Sequence, residues 1–221
     1  MQKPSWAAFD TPAGVMCGHP RVLAELKEVL RYREQLLTRL QQVDNRIEAA
    51  RWRSGQGHGS VTLAWLEEER AQLRDLMEKA EAEAERLLQL LPEYRVLLTQ
   101  KGVGSRVAAT VLAFLPQELW GKAKQASAYA GLIPEQQHSG SSVRKSRLSR
   151  KGPALLRKKL YLAALVATRH DPEMKAFYHR LLAKHKSKKQ ALVAVAHKLL
   201  RRLMGKLKAY YREQGREGLV A

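Results

Sequence analysis

One stretch of the sequence concentrates groups that handle phosphate. Residues 135–153 read Glu-Gln-Gln-His-Ser-Gly-Ser-Ser-Val-Arg-Lys-Ser-Arg-Leu-Ser-Arg-Lys-Gly-Pro, so Ser139, Ser141 and Ser142 precede Arg144, Lys145, Arg147, Arg150 and Lys151. Hydroxyls and cations together suit a phosphodiester, because charged donors make the stronger hydrogen bonds to its oxygens. The same cations could stabilise negative charge gathering on a pentacoordinate phosphate. A serine hydroxyl is a poor nucleophile until a base takes its proton or a metal lowers its pKa. His138 adjoins Ser139, but sequence neighbours seldom point at each other, which makes it a poor candidate base. Serine is also an ordinary residue of polar loops, and the residues by themselves single out none of the five in this stretch. Arg157 and Lys158 carry the basic character into the next segment.

A second candidate contact is Lys101-Gly102-Val103-Gly104-Ser105, which lies between a short helical segment, Tyr94 to Gln100, and the apolar run Val107 to Leu115. Helix, glycine-apolar-glycine turn, helix is the helix-hairpin-helix pattern. Its glycines let the backbone come close, and N–H groups at the next helix start bind a phosphate oxygen. Such a contact at Gly102 and Gly104 positions DNA without reading its sequence. A plain glycine turn is the simpler alternative.

Charge supports the same chemistry. The chain of 221 residues carries a formal charge of +19. Residues 1–100 hold 14 Lys+Arg against 15 Asp+Glu, and residues 101–221 hold 26 against 6. The C-terminal half therefore carries all the excess, a field that attracts polyanions such as DNA or RNA. No long apolar run or signal peptide suggests a membrane. Cys17 is the only cysteine and the seven histidines are scattered. An internal disulfide and a thiolate zinc cluster are therefore excluded, no metal site is predicted, and the cytoplasm is the expected compartment.

The elements that must position these groups read as helices. Residues 1–20 form an irregular lead-in broken by Pro4, Pro12, Gly14, Gly18 and Pro20. Val22, Leu26, Val29, Arg33, Leu36, Leu40, Val43 and Ile47 then step alternately by four and three, as do Leu66, Arg70, Leu73, Met77, Ala80, Ala84, Leu87 and Leu91. A period of 3.5 keeps one stripe facing a partner helix. The segment Ser54 to Ser60, with glycine at every second position from Gly55, lies between them. An antiparallel, coiled-coil-like helical hairpin over 21–91 is predicted, either spacing domains or pairing subunits. An ordinary helical bundle fits the pattern nearly as well. Residues 92–212 are expected to form a compact basic helical domain, with 213–221 as a tail. Its helices span 122–133, Ala154 to His170, Glu173 to Lys184 behind Pro172, and Gln190 to Tyr211. No strand is predicted, so the fold class is all-α.

Lys101 to Lys208 resembles the C-terminal domain of the DEDD insertion-sequence transposases, the IS-one-ten and IS-one-one-one-one group, kin to the Piv site-specific invertase. The strings that carry the resemblance are Gly102-Val-Gly-Ser-Arg-Val-Ala-Ala-Thr110, Ala126-Ser-Ala-Tyr-Ala-Gly-Leu-Ile-Pro134, Ser139-Gly140 and Ser149-Arg-Lys-Gly152. They continue through Leu156-Arg-Lys-Lys-Leu-Tyr-Leu-Ala-Ala164, His170-Asp-Pro172, Phe177-Tyr178 and Ala191 to Leu200. The family also places a helical hairpin ahead of this domain. Lys101 stands where the family usually has proline.

The resemblance implies that the domain contributes a serine that attacks a DNA phosphate, and it assigns that role to Ser139, the serine of the Ser-Gly step. It implies DNA as partner, a structured guide RNA in some members, and a bacterial, nucleoid-associated setting; a homo-oligomer through the hairpin is a separate expectation from the heptads. It also implies an N-terminal RNase-H-like domain whose four carboxylates hold divalent metal, such as Mg²⁺. Here Asp10 is the sole carboxylate of the first twenty residues, while Asp44, Asp75 and Asp171 fall on helical segments or a helix break. The chain thus reads as shortened at its N-terminus and holds no cofactor of its own. Its expected function is DNA strand breakage and joining during transposition, inactive without the carboxylate domain. The alternative is an inactive remnant that only binds DNA or RNA.

Overall fold

Two apolar stripes make the longest helices. In the computed structural model, residues 20–55, 61–139, 143–148 and 151–215 are described, with side chains described outside 54–55, 134–139 and 143–148. Helix α1 (Pro20–Gly55) lies along α2 (Thr62–Gln89). Leu36, Val43, Ile47 and Ala50 of α1 bury against Leu66, Leu73 and Ala80 of α2 in a cluster of their own. The ion pairs Arg33–Glu81, Asp44–Arg70, Arg46–Glu69 and Arg51–Glu67 show that the helices run antiparallel. The two arginines that interrupt the stripes each meet a carboxylate of the other helix. Arg33 donates from Nε and Nη2 to Glu81 Oε1 at 2.9 and 2.6 Å, and Arg70 lies 3.8 Å from Asp44. Helix α1 runs on through Ser54 and Gly55, two residues into the predicted loop. The rest of that loop, 56–60, the lead-in up to residue 19 and the tail from 216 lie outside the described residues.

Among the described residues, seven shorter helical elements follow: α3 (Pro92–Leu98), α4 (Ser105–Phe114), a 3₁₀ turn at Gln117–Leu119, α5 (Ala123–Tyr129), α6 (Ala154–His170), α7 (Pro172–Ala183) and α8 (Lys188–Glu213). Helix α8 is the centre of this part and packs against α3, α5, α6 and α7. Leu199, Leu200, Leu203, Met204 and Leu207 are all fully buried on it. Their spacing of three and four residues builds one apolar face, as the sequence pattern requires. Leu23, Leu26 and Leu30 of α1 and Ala84, Leu87 and Leu88 of α2 belong to the same core. The base of the hairpin is therefore built into the basic part.

Local chemistry fixes the helix starts. Asp171 accepts hydrogen bonds from the backbone of Glu173 and Met174, and Pro172 occupies the first turn of α7. Ser187 and Gln190 form a reciprocal capping box at α8. Both are the side chains that leave the fewest unpaired amides at a helix start.

The described residues are predominantly helical, as expected, but the polar stretch expected to be a loop contains an antiparallel ribbon. Strand β1 (Pro134–Ser139) pairs with β2 (Val143–Leu148), from Pro134 opposite Leu148 to Ser139 opposite Val143. The prediction of no strand is corrected here. Its strands read Pro134-Glu-Gln-Gln-His-Ser139 and Val143-Arg-Lys-Ser-Arg-Leu148, without the apolar alternation by which strands are read from sequence.

Candidate nucleic-acid interface

The ribbon is rooted between α5 and α6, and two features pin that root. Gly152 has φ +91°, and a Cβ there would overlap the carbonyl oxygen of Tyr129. Only glycine allows the chain leaving the ribbon to pass so close to the chain entering it. Arg157 adds a clamp: its Nη1 donates to the carbonyls of Lys151 at 3.0 Å, Gly152 at 3.1 Å and Ala130 at 3.4 Å. One guanidinium nitrogen thus joins the backbone before β1 to the backbone after β2.

Ser139 is the last paired residue of β1, opposite Val143. Its side chain, and those of Arg144, Lys145 and Arg147, lie outside the described residues, as do Ser141, Ser142 and Arg150 altogether. By backbone, the register sets Arg144 opposite His138, Lys145 opposite Gln137 and Arg147 opposite Glu135. Pairing thus gathers the candidate serine and three of the candidate cations onto one ribbon. Lys151 is exposed at its root. Lys158, also exposed, lies one turn into α6 and 3.4 Å from Glu34 of α1.

The two glycines of the other candidate contact behave differently. Gly102, at φ +86°, packs against α6 so closely that a Cβ would stand 2.8 Å from Ala167 Cβ. Its described role is helix packing. Gly104 is the N-cap of α4, is exposed, and has open space where a Cβ would be. A carboxylate already stands beside this turn: Ser105 Oγ donates to Glu85 Oε2 at 3.3 Å, and Tyr94 Oη donates to the same oxygen at 3.2 Å.

Two carboxylates couple the hairpin to the basic part. Glu81 accepts from Arg33 and, at 2.9 Å, from Arg106 of α4. Glu34 accepts from Lys159 at 2.5 Å and Lys158 at 3.4 Å. Hydrogen bonding from Arg33 is the largest influence on Glu81 and, with the Arg33 and Arg106 charges, holds it below the ordinary carboxylate range against the opposing effect of burial. Burial is the largest single influence on Glu34 and pushes it up, but Lys159 and Lys158 together overcome it and bring it down. Arg106 and Lys159 were not candidates from sequence. The acidic α2 stretch Glu81-Ala-Glu83-Ala-Glu85, set against a basic second half, was the available signal.

On α8, Lys198 pairs with Glu173 at 2.8 Å and Arg202 pairs with both Asp171, at 3.1 Å, and Glu173. Those cations are partly neutralised. Among the described residues no group of three or more His, Cys, Asp or Glu side chains could hold a metal ion. No described helix is long and apolar enough to cross a membrane.

Comparison with known proteins places this region. Residues 94–179 match the model of the transposase IS116/IS110/IS902 family. An insertion element IS110 uncharacterized 43.6 kDa protein of Streptomyces coelicolor is 31% identical over 129 residues, covering 58% of this chain and 32% of that protein. A pilin gene-inverting protein of Moraxella lacunata is 33% identical over 121 residues, 52% of this chain and 38% of its own length. Its counterpart in Moraxella bovis is 32% identical over 108 residues, 48% and 34% respectively. The chain spans about a third of the length of these relatives.

Proposed function

Since residues 94–179 match the model of the transposase IS116/IS110/IS902 family, we propose that this chain is the DNA-engaging part of a transposase or related recombinase. The carrying observation is that the matched segment contains the whole rooted ribbon, from Pro134 to Leu148, and the start of α6. The ribbon and its root hold the phosphodiester, through Arg144, Lys145, Arg147, Arg150 and Lys151. Ser139 is the attacking group: its oxygen forms the new bond to phosphorus, its proton leaves to a base, and the displaced DNA oxygen leaves with the bonding pair. A guide RNA and self-association through the hairpin belong to the same reading, as does a place on the bacterial nucleoid.

The divalent metal implied by the family resemblance does not fit this chain's described donors, which offer no cluster of three. No step is routed through it. The reading is instead that carboxylates from another domain or polypeptide complete the site, and that this chain alone binds DNA without cutting it. The experiment is to incubate supercoiled DNA and Mg²⁺ with the chain, alone and mixed with an RNase-H-like domain from a relative. Nicking is expected only in the mixture, lost in Ser139→Ala with DNA binding retained. Cleavage by the lone chain overturns the division of labour. Equal cleavage by Ser139→Ala moves the assignment to Ser141 or Ser142.

A further inference from the structure

A groove of about 620 Å³ opens between the base of α1 and the start of α6. One wall is a stripe at four-residue spacing on α1, Lys27, Arg31 and Gln35; the other is Pro153 to Leu155 with Lys158. Phe114 and Tyr129 complete the lining. Lys27 Nζ lies 5.7 Å and Arg31 Cζ 5.8 Å from the centroid of the Phe114 ring. A buried aromatic ring therefore holds two cations side by side. Like charges four residues apart on a helix repel, and neither Lys27 nor Arg31 has a hydrogen bond or ion pair among the described residues. The one carboxylate of the lining, Glu34, is occupied by Lys159 at 2.5 Å, Lys158 at 3.4 Å and Arg33 at 3.6 Å. A pre-arranged, uncompensated pair of cations in a groove is a site for an anion.

The position of the groove says which anion. Tyr129 adjoins Ala130, and Pro153 follows Gly152, so the groove starts where Arg157 clamps the ribbon. Tyr129 and Gln35 line the same space, and α6 opens there without a side-chain cap on its first amides. We propose that this groove seats one backbone phosphodiester of the nucleic-acid strand that the ribbon engages, with Lys27 and Arg31 as its charged ligands. The inference rests on the nucleic-acid-binding reading above. It adds that the hairpin, whose half of the sequence has no net positive charge, supplies part of the interface.

The test compares the wild-type chain, Lys27→Gln/Arg31→Gln and the control Arg39→Gln in titrations of a DNA duplex between 50 and 200 mM salt. Losing this one phosphate contact should flatten the log-affinity against log-salt slope by about one and weaken binding on the order of tenfold at 100 mM. Arg39→Gln, an exposed residue of the same helix away from the groove, should leave both unchanged. If wild type does not bind DNA, the functional reading itself fails. If wild type binds and the double variant matches it in slope and affinity, the groove is not part of the interface and only this inference falls.

A measurement on the unmutated protein guards against a variant that misfolds. Acetylation of Lys27, read by mass spectrometry, should slow when DNA is bound. Unchanged Lys27 reactivity overturns the inference. Equal protection by inorganic phosphate at the same phosphate concentration also overturns it, assigning the groove to free anions.

Discussion

At the scale of single residues, three glycines with similar sequence surroundings have separate physical duties. Gly102 and Gly152 combine a left-handed backbone with a neighbour where Cβ would be, whereas Gly104 has neither. Gly102→Ala and Gly152→Ala should each cost about 2–4 kcal/mol of stability, combining backbone strain with overlap. Gly104→Ala should cost no more than about 1 kcal/mol, the usual range for a weaker N-cap. Urea unfolding of the three variants measures the difference. Sequence marks all three as turn glycines but does not say which one touches another helix. Arg157 illustrates the same limit: its charge is legible, while the three carbonyls that take up one of its nitrogens come from residues 5, 6 and 27 positions away.

At the scale of elements, the hairpin was readable because a 3.5-residue period is local information, and even its two interruptions, Arg33 and Arg70, are visible as such. Their partners, Glu81 and Asp44, are not. Arg33 is buried, so removing Glu81 leaves its charge only the longer 3.6 Å contact with Glu34, whereas replacing Arg33 by an apolar residue removes the desolvation cost with it. Arg33→Met should therefore be neutral or stabilising, and Glu81→Gln destabilising by about 1–3 kcal/mol. Acid tests the same contact. Glu81 and Glu34 titrate below their ordinary value of 4.5 when folded. Their contribution is then fully present above about pH 4.5 and is lost as pH falls through the lowered range. Urea midpoints between pH 6 and 3 should drop less steeply for Glu81→Gln than for wild type.

The seam also bears on self-association. Leu36 is fully buried within the hairpin's own cluster, so Leu36→Asp breaks the hairpin itself and says nothing about pairing of subunits. Trp52 and Trp65, 67% and 65% exposed near the hairpin tip, are better probes. Sedimentation at micromolar concentration should show an oligomer whose mass falls in Trp52→Ala/Trp65→Ala; a monomeric wild type rejects self-association through the hairpin.

At the scale of the whole molecule, charge was the most legible property and the ribbon the least. Twenty-six cations against six carboxylates in residues 101–221 predict steeply salt-dependent binding. Six to ten phosphate contacts would lower affinity roughly 10³–10⁵-fold between 50 and 200 mM salt. A flat response in a filter-binding titration would contradict the interface. The ribbon left no trace in the hydrophobic pattern because Glu135-Gln-Gln-His-Ser139 and Val143-Arg-Lys-Ser-Arg-Leu148 lack the alternation of apolar and polar residues that marks a strand. Only the resemblance singles out Ser139, while the polar stretch itself offers five serines, Ser139, Ser141, Ser142, Ser146 and Ser149.

The root of that ribbon makes it a replaceable part. Tyr129 and Gly152 are in backbone contact and Arg157 bridges Ala130 to Lys151, so the two cut ends already meet. Excising residues 134–150 and joining the ends through two or three glycines should leave the helical scaffold with a thermal midpoint within a few degrees of the parent, because short closures cost little entropy. The scaffold would then accept ribbons of different length or composition, as an antibody framework accepts loops.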